Sequence, residues 1–191
     1  MPYSPPIALY DACILYPFHL RNLLVQCAVD RLVDARWSED IHDEWIRNLA
    51  ANDPSVSIER LTATRHLMSA VLPDAMVSGY ACHIAAINLP DADDRHVVAA
   101  AIAAGASLII TWNERDFPEA ELARHKLRAQ TPDALLMNLY AAVPDVVVAA
   151  TANARQNLRR SRISAAEYLD ALERQKLFKF AAAMNKHLPE L

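Results

Sequence analysis

The stretch from Leu89 to Phe117 constrains the fold of this chain most. It reads as an acidic loop, a helix, a glycine stop, a buried strand and a second acidic loop. Val97, Val98, Ala101 and Ile102 recur at the spacing of one buried helix face. Asp94 lies one turn before that face, at the helix start, where unpaired backbone N–H groups favour negative charge. Gly105 suits the helix stop because it can take the left-handed backbone that ends a helix. Ala106 to Thr111 is an apolar run of strand length. Asn113 and Asp116 follow directly. One unit thus sets Asp94 at a helix start and Asp116 just past a strand end. In open α/β sheets, ligands bind beyond the carboxyl ends of the strands.

The rest of the chain repeats this alternation. Ile7 to Tyr16 opens as a continuous apolar run, as in a strand buried on both faces, and Asp11 interrupts it. A buried carboxylate is costly unless it is paired, bound to a metal, or capping a helix. Phe18 to Leu32 reads as a helix and Leu32 to Trp37 as a short strand. Ser38 is a helix cap, with Glu39 and Asp40 in the first turn. Ile41, Trp45 and Leu49 then form an apolar stripe that Glu44 flanks, whereas Asp43 points away from it. A helix over 58–72 follows. Residues 73–89 hold a short helix and a strand whose places the pattern leaves open. Lys126 to Gln130 is a weak strand, and Thr131-Pro132-Asp133 a helix start. Together these segments predict an α/β fold with a mainly parallel sheet.

From Pro144 the character changes. Residues 146–158 are helical by pattern, Ser164 to Glu167 is a capping box, and 177–188 continues as helix. Residues 144–191 therefore read as an all-helical appendage on an α/β core of residues 1–143. The net charge of −4 conceals an asymmetry: acids outnumber bases before residue 151, and bases outnumber acids after it.

Composition removes several classes of function. The only glycines are Gly79 and Gly105, so glycine-rich phosphate loops, dinucleotide fingerprints and a G-x-S-x-G elbow are absent. No H-E-x-x-H occurs. Cys13, Cys27 and Cys82 are an odd, scattered set, which favours a reducing cytoplasm over a disulfide frame. The N-terminal residues lack the pattern of a signal peptide. No apolar run approaches the ~20 residues needed to cross a bilayer, so no membrane partner is expected.

The acids carry the chemistry. Asp11, Glu44, Asp94 and Asp116 come from four segments, each near a strand end or helix start. With no lysine among them they would repel one another, and a hard divalent cation such as Mg²⁺ or Mn²⁺ prefers oxygen ligands. One or two such ions would activate water and neutralise charge on a phosphoryl group. The expected site is therefore a metal-dependent phosphodiesterase site, with Asn113 and Arg95 as substrate-binding neighbours. Asp91 reads as a turn residue and Asp93 as the helix cap. His42, His83 and His96 are set aside for want of a partner at metal spacing. Receiver and haloacid-type phosphatase folds also cluster aspartates, but they need a suitably placed lysine, and none precedes Lys126.

Four segments carry a family resemblance: Tyr10-Asp-Ala-Cys-Ile-Leu-Tyr16, Ser38-x-x-Ile-x-x-Glu44, Asp91-x-Asp-Asp-Arg-His-Val-Val-Ala-Ala-Ala101 and Thr111-Trp-Asn-Glu-Arg-Asp-Phe117. Across residues 7–140 the chain resembles a PIN-domain nuclease, and most of all the VapC-type toxins of bacterial toxin–antitoxin pairs. The resemblance implies a three-layer α/β/α sandwich and an Mg²⁺- or Mn²⁺-dependent endoribonuclease. It implies an acidic quartet at Asp11, Glu44, Asp94 and Asp116, with Asn113 as a polar neighbour. It also implies a small antitoxin partner and a homodimer. Cys13 departs from the family, where many members have Asn, and removes a possible hydrogen bond near the acids. The helical tail resembles the C-terminal extension of a longer subgroup. Its bases (Arg155, Arg159, Arg160, Arg162, Arg174, Lys176 and Lys179) would supply attraction for RNA. Two alternatives remain: an RNA-processing or DNA-active nuclease without a toxin role, and a non-catalytic PIN-like scaffold.

Overall fold

The computed structural model describes residues 3–158 and 161–191. The chain runs β1 (Ile7–Tyr10), α1 (Ala12–Leu15), α2 (Phe18–Val29), β2 (Asp34–Ser38), α3 (Glu39–Asn52), α4 (Ile58–Val71), β3 (Met76–Val77) and α5 (Ala81–Ile84). It continues with α6 (Arg95–Ala103), β4 (Leu108–Ile110), α7 (Glu119–Arg124), β5 (Arg128–Gln130), α8 (Pro132–Ala142), α9 (Pro144–Gln156), α10 (Ala165–Arg174) and α11 (Phe178–Met184). All strands are parallel, in the order β3-β2-β1-β4-β5. The expected α/β fold is present: a parallel sheet flanked by helices, with further helices at the C-terminal end. The region left open by the pattern resolves as a 3₁₀ turn (Pro73–Ala75), then β3 and α5.

This order creates the place for a site. From β1 the chain builds outward through β2 to β3, then returns to β1's other edge and builds outward through β4 to β5. The two directions diverge between β1 and β4, and in open α/β sheets ligands bind beyond the carboxyl ends of such a strand pair. Register sets Tyr10 against Ile110, and the Asp11 N–H donates to the Ile110 carbonyl at 3.1 Å. The next residues along these strands, Asp11 and Thr111, therefore meet at the switch point.

Helix α6 packs against β1, β2 and β4. Val97 to Ala101 are fully buried. The run of alanines lets the helix lie close to the sheet, so Ala99 and Ala100 are enclosed as well as the expected face, while Ile102 is only half-buried. Helix α4 is a weaker fit to its expected core role. Leu61 and Met68 are buried, but Leu67 and Val71 are exposed.

A glycine-poor chain must end its helices by other means. Gly105 takes the left-handed backbone after α6 (φ 62°), but Arg31, Lys126 and Lys176 take it after α2, α7 and α10. Each of the three closes the same pair of hydrogen bonds back onto its helix. A basic residue at a helix C-terminus also meets the negative end of the helix dipole, which offsets part of the cost of the conformation.

The C-terminal helices share the hydrophobic core of the sheet layer. Helix α9 lies on α2 and α8. Asn22 donates to the Ala154 carbonyl at 2.7 Å, and Asn157 to Gln26 Oε1 at 2.8 Å. The capping box at Ser164 and Glu167 forms with both of its bonds. Asp133 is buried, and its carboxylate accepts the N–H groups of Lys179 and Phe180 at 3.1 and 2.9 Å. The start of α11 is thereby fixed to the start of α8.

Candidate functional site

The last residue of β1 is followed by Asp11, which is 5 % exposed. One carboxylate oxygen accepts the Ala12 N–H at 2.7 Å and so caps α1. The other accepts the Thr111 hydroxyl at 2.7 Å and the Cys13 thiol at 3.1 Å. Burial raises the Asp11 pKa and the nearby charge of Glu44 adds to it, while the Thr111, Cys13 and Ala12 bonds pull it down. Thr111 is itself fully buried at the end of β4. Its hydroxyl also accepts the Asn113 N–H at 2.9 Å.

Cys13 corrects the sequence reading. Replacing the family's Asn does not remove a hydrogen bond here. The thiol donates to Asp11, and its sulfur accepts the Trp112 N–H at 3.3 Å. Burial first, and then the Asp11 charge, push the thiol pKa up to about 12, so it remains a protonated donor.

Asp94 holds the cap position of α6, although its side chain makes no capping bond. Asp93 was expected in that place. Instead its N–H donates to the Asp91 carboxylate at 2.9 Å in a turn, and the helix begins later. Asp94 is half-buried, and its pKa is raised to about 6. Burial is the largest cause, followed by the charges of Asp11, Asp91, Asp116 and Glu44. Acids from four segments therefore act on one carboxyl.

Glu44 projects from α3 beside the buried stripe, at 3.6 Å from His96 Nε2. Asp43, on the other side of the helix, is exposed and pairs with Arg65 of α4 at 3.0 Å. His96, set aside for want of a partner at metal spacing, is largely enclosed: its side chain is 16 % exposed. Desolvation alone would lower its pKa. The hydrogen bond and charge of Glu44, then Asp40 and Asp11, outweigh that and raise it. Its ring is a neighbour of Glu44 that spacing along the chain does not reveal.

Asp116 lies in a 3₁₀ turn (Glu114–Asp116) after β4, half-buried, with its N–H on the Asn113 carbonyl at 2.9 Å. Asn113 is exposed, and it joins the network through its backbone N–H rather than its amide. Arg95 is half-buried, and its buried Nε has no hydrogen-bond partner among the described residues. The tail bases separate into groups. Arg155 is committed to the carbonyls of Leu191 and Ile163 at 2.7 and 2.9 Å. Arg162 is exposed, and Arg159 and Arg160 lie outside the described residues. Arg174, Lys176 and Lys179 are exposed.

The donors at this site are oxygens, as a hard divalent cation requires. Their mutual repulsion, visible at Asp94, is a charge that such a cation would cancel. Among the described residues, no group of three or more His, Cys, Asp or Glu side chains stands in a metal-holding arrangement. The acids share one field without having closed into a cage. Oxygen donors and uncompensated negative charge are the chemistry that a hard divalent ion takes up.

Two family models match the chain. One, described as a PIN domain, covers residues 8–115, from β1 to the residue before Asp116. The other, described as the VapC50 C-terminal domain, covers residues 132–186, from α8 to the turn after α11. No curated protein and no solved structure matches it.

Proposed function

The chain belongs to the PIN-domain family, and on that premise we propose that it is a metal-dependent endoribonuclease, the toxin of a toxin–antitoxin pair. The single observation that carries the reading is Asp94. Its carboxyl is raised to about 6, first by burial and then by the charges of Asp11, Asp91, Asp116 and Glu44, acids whose mutual repulsion a bound cation would offset.

In this reading Asp11, Glu44, Asp94 and Asp116 hold one or two Mg²⁺ or Mn²⁺ ions. When bound, such an ion makes water a competent nucleophile at neutral pH and offsets charge growing on the phosphoryl oxygens. The protein's own groups do the positioning. Thr111 and Cys13 orient the Asp11 carboxylate and favour its ionised form. His96 steadies Glu44. Asn113 and Arg95, both between Asp94 and Asp116 along the chain, are the candidates to meet the substrate phosphate. The VapC50 C-terminal domain match supports the toxin role; a small antitoxin partner, a homodimeric state and a cytoplasmic site of action belong to the same proposal. No helix of the described residues is long and apolar enough to cross a membrane.

The test is digestion of total RNA by the purified protein with Mg²⁺ or Mn²⁺, and again with EDTA. Cutting that depends on the ion and is lost in Asp94→Asn supports the proposal. Equal cutting in EDTA overturns it. Expression in cells tests the toxin role: growth should halt, and Asp94→Asn should relieve the arrest. An active nuclease that is harmless at high expression would mark a processing enzyme instead.

A further inference from the structure

We infer that the turn between α10 and α11, together with Trp112, is a platform for the single-stranded RNA that flanks the acidic site. In this arrangement Arg174, Lys176 and Lys179 meet backbone phosphates and Phe178 offers a ring to an unpaired base. The inference deepens the nuclease reading and rests on it for the identity of the polyanion.

The first argument is position. The turn is pinned to elements that begin at the carboxyl edge of the sheet. Gln175 Oε1 accepts the Leu20 N–H at 2.7 Å, satisfying a donor in the first turn of α2. Asp133, at the start of α8, holds the start of α11. Between these anchors, Lys176 Nζ lies 5.8 Å from the centroid of the Trp112 ring, within cation–π range. Trp112 is in turn close to the reacting centre. Its N–H reaches Cys13 Sγ at 3.3 Å, and that thiol reaches Asp11 at 3.1 Å.

The second argument is composition and exposure. From Arg174 to Lys179 the chain has three cations and no acid. All three are exposed and form no ion pair among the described residues. Phe178 is 58 % exposed between them. Exposed bases interleaved with an exposed ring suit a strand whose phosphates and bases are both accessible. An acidic protein partner would use the charge but has less use for the ring. The platform also answers an electrostatic need, because the acids at the switch point repel RNA and bases at the rim would hold it there.

The left-handed backbone at Lys176 makes a discriminating test possible. Glycine is the residue best suited to that conformation, so Lys176→Gly removes the charge while keeping or raising stability. Binding of a labelled single-stranded RNA to the full chain is followed by fluorescence anisotropy in EDTA, over a range of salt. Lys176→Gly should weaken binding about 5-fold at low salt and reduce the salt dependence by roughly one phosphate contact. Phe178→Ser should weaken binding about 5- to 10-fold with the salt dependence unchanged. Unchanged affinity in both variants, no binding by the parent, or Lys176-dependent binding of polyglutamate in place of RNA would each overturn the inference. Cleavage separates the two proposals. RNA bound through Lys176 but never cut removes the nuclease and leaves the platform. Cutting with an unaltered KM in Lys176→Gly removes the platform and leaves the nuclease.

Discussion

Replacing Asp94 with Asn should make the metal-free protein more stable. The Asp94 carboxyl is raised from an ordinary 3.8 to about 6, first by burial and then by its acidic neighbours. A carboxyl with a raised folded pKa keeps its proton longer in the folded state than in the unfolded one. Stability is therefore lost as pH climbs from about 4 to about 6, and the full penalty stands above that window. For a fully buried group a displacement of this size would correspond to about 3 kcal/mol. Asp94 is only half-buried, and solvent screening reduces the penalty to about 1 kcal/mol. Asn carries no charge and avoids it. Urea unfolding in EDTA at about pH 7.5 should show a higher midpoint for Asp94→Asn, and the gain should shrink to almost nothing near pH 4. Mg²⁺ should reverse the order, because an ion that binds only the folded state stabilises it, by about 2.7 kcal/mol at a hundredfold excess over Kd. A metal-free variant less stable than its parent at about pH 7.5 would refute the idea that these acids repel one another.

Three further outcomes are expected. Thr111→Val leaves the buried Asp11 carboxylate without its 2.7 Å hydroxyl partner. It should cost about 1–3 kcal/mol in urea unfolding and move the acid limb of any cleavage profile to higher pH. Asp133→Ala removes the acceptor for two N–H groups at the start of α11. It should cost about 2–3 kcal/mol, with hydrogen exchange rising over residues 178–184 before it rises in the sheet. His42 is fully buried, accepts the Trp45 Nε1–H at 2.9 Å, and has its pKa lowered from 6.5 to about 4, chiefly by desolvation. The unfolded chain takes that proton first, so stability should fall by up to about 3 kcal/mol as pH drops from about 6.5 to 4. His42→Phe should flatten this limb, most clearly in an Asp94→Asn background, where the opposing titration is gone.

How much of this was legible in the sequence depended on the range over which each feature is specified. Strands and helix caps are local. The apolar runs around Leu9 and Ile109, the Ser38 and Thr131 caps and the capping box at Ser164 were all readable from adjacent residues. Features that depend on a distant partner were not. Thr111 looks like one more residue of an apolar run until β1 pairs with β4 and sets it beside Asp11, 100 positions earlier. The polar ends of two apolar runs would have been a usable signal, had the strand order been known. His96 was set aside because its partner, Glu44, is on another helix. The exposed Leu67 and Val71 of α4 were unreadable for the same reason: hydrophobic spacing predicts a face, not what covers it.

The same distinction explains why the acids stood out while their setting did not. A carboxylate at the end of a buried strand conflicts locally with its apolar neighbours, and that conflict is visible in one dimension. The groups that resolve it are ordinary residues: the Thr111 hydroxyl, the Cys13 thiol and the His96 ring. Each is unremarkable in its own segment and becomes informative only at the switch point, where β1 and β4 end side by side. Asp11 shows the two levels acting together. Its cap on α1 is a local device, and one oxygen serves it. The other oxygen faces Thr111 and Cys13. A residue read as either a helix cap or a site acid is both, because a carboxylate has an oxygen for each.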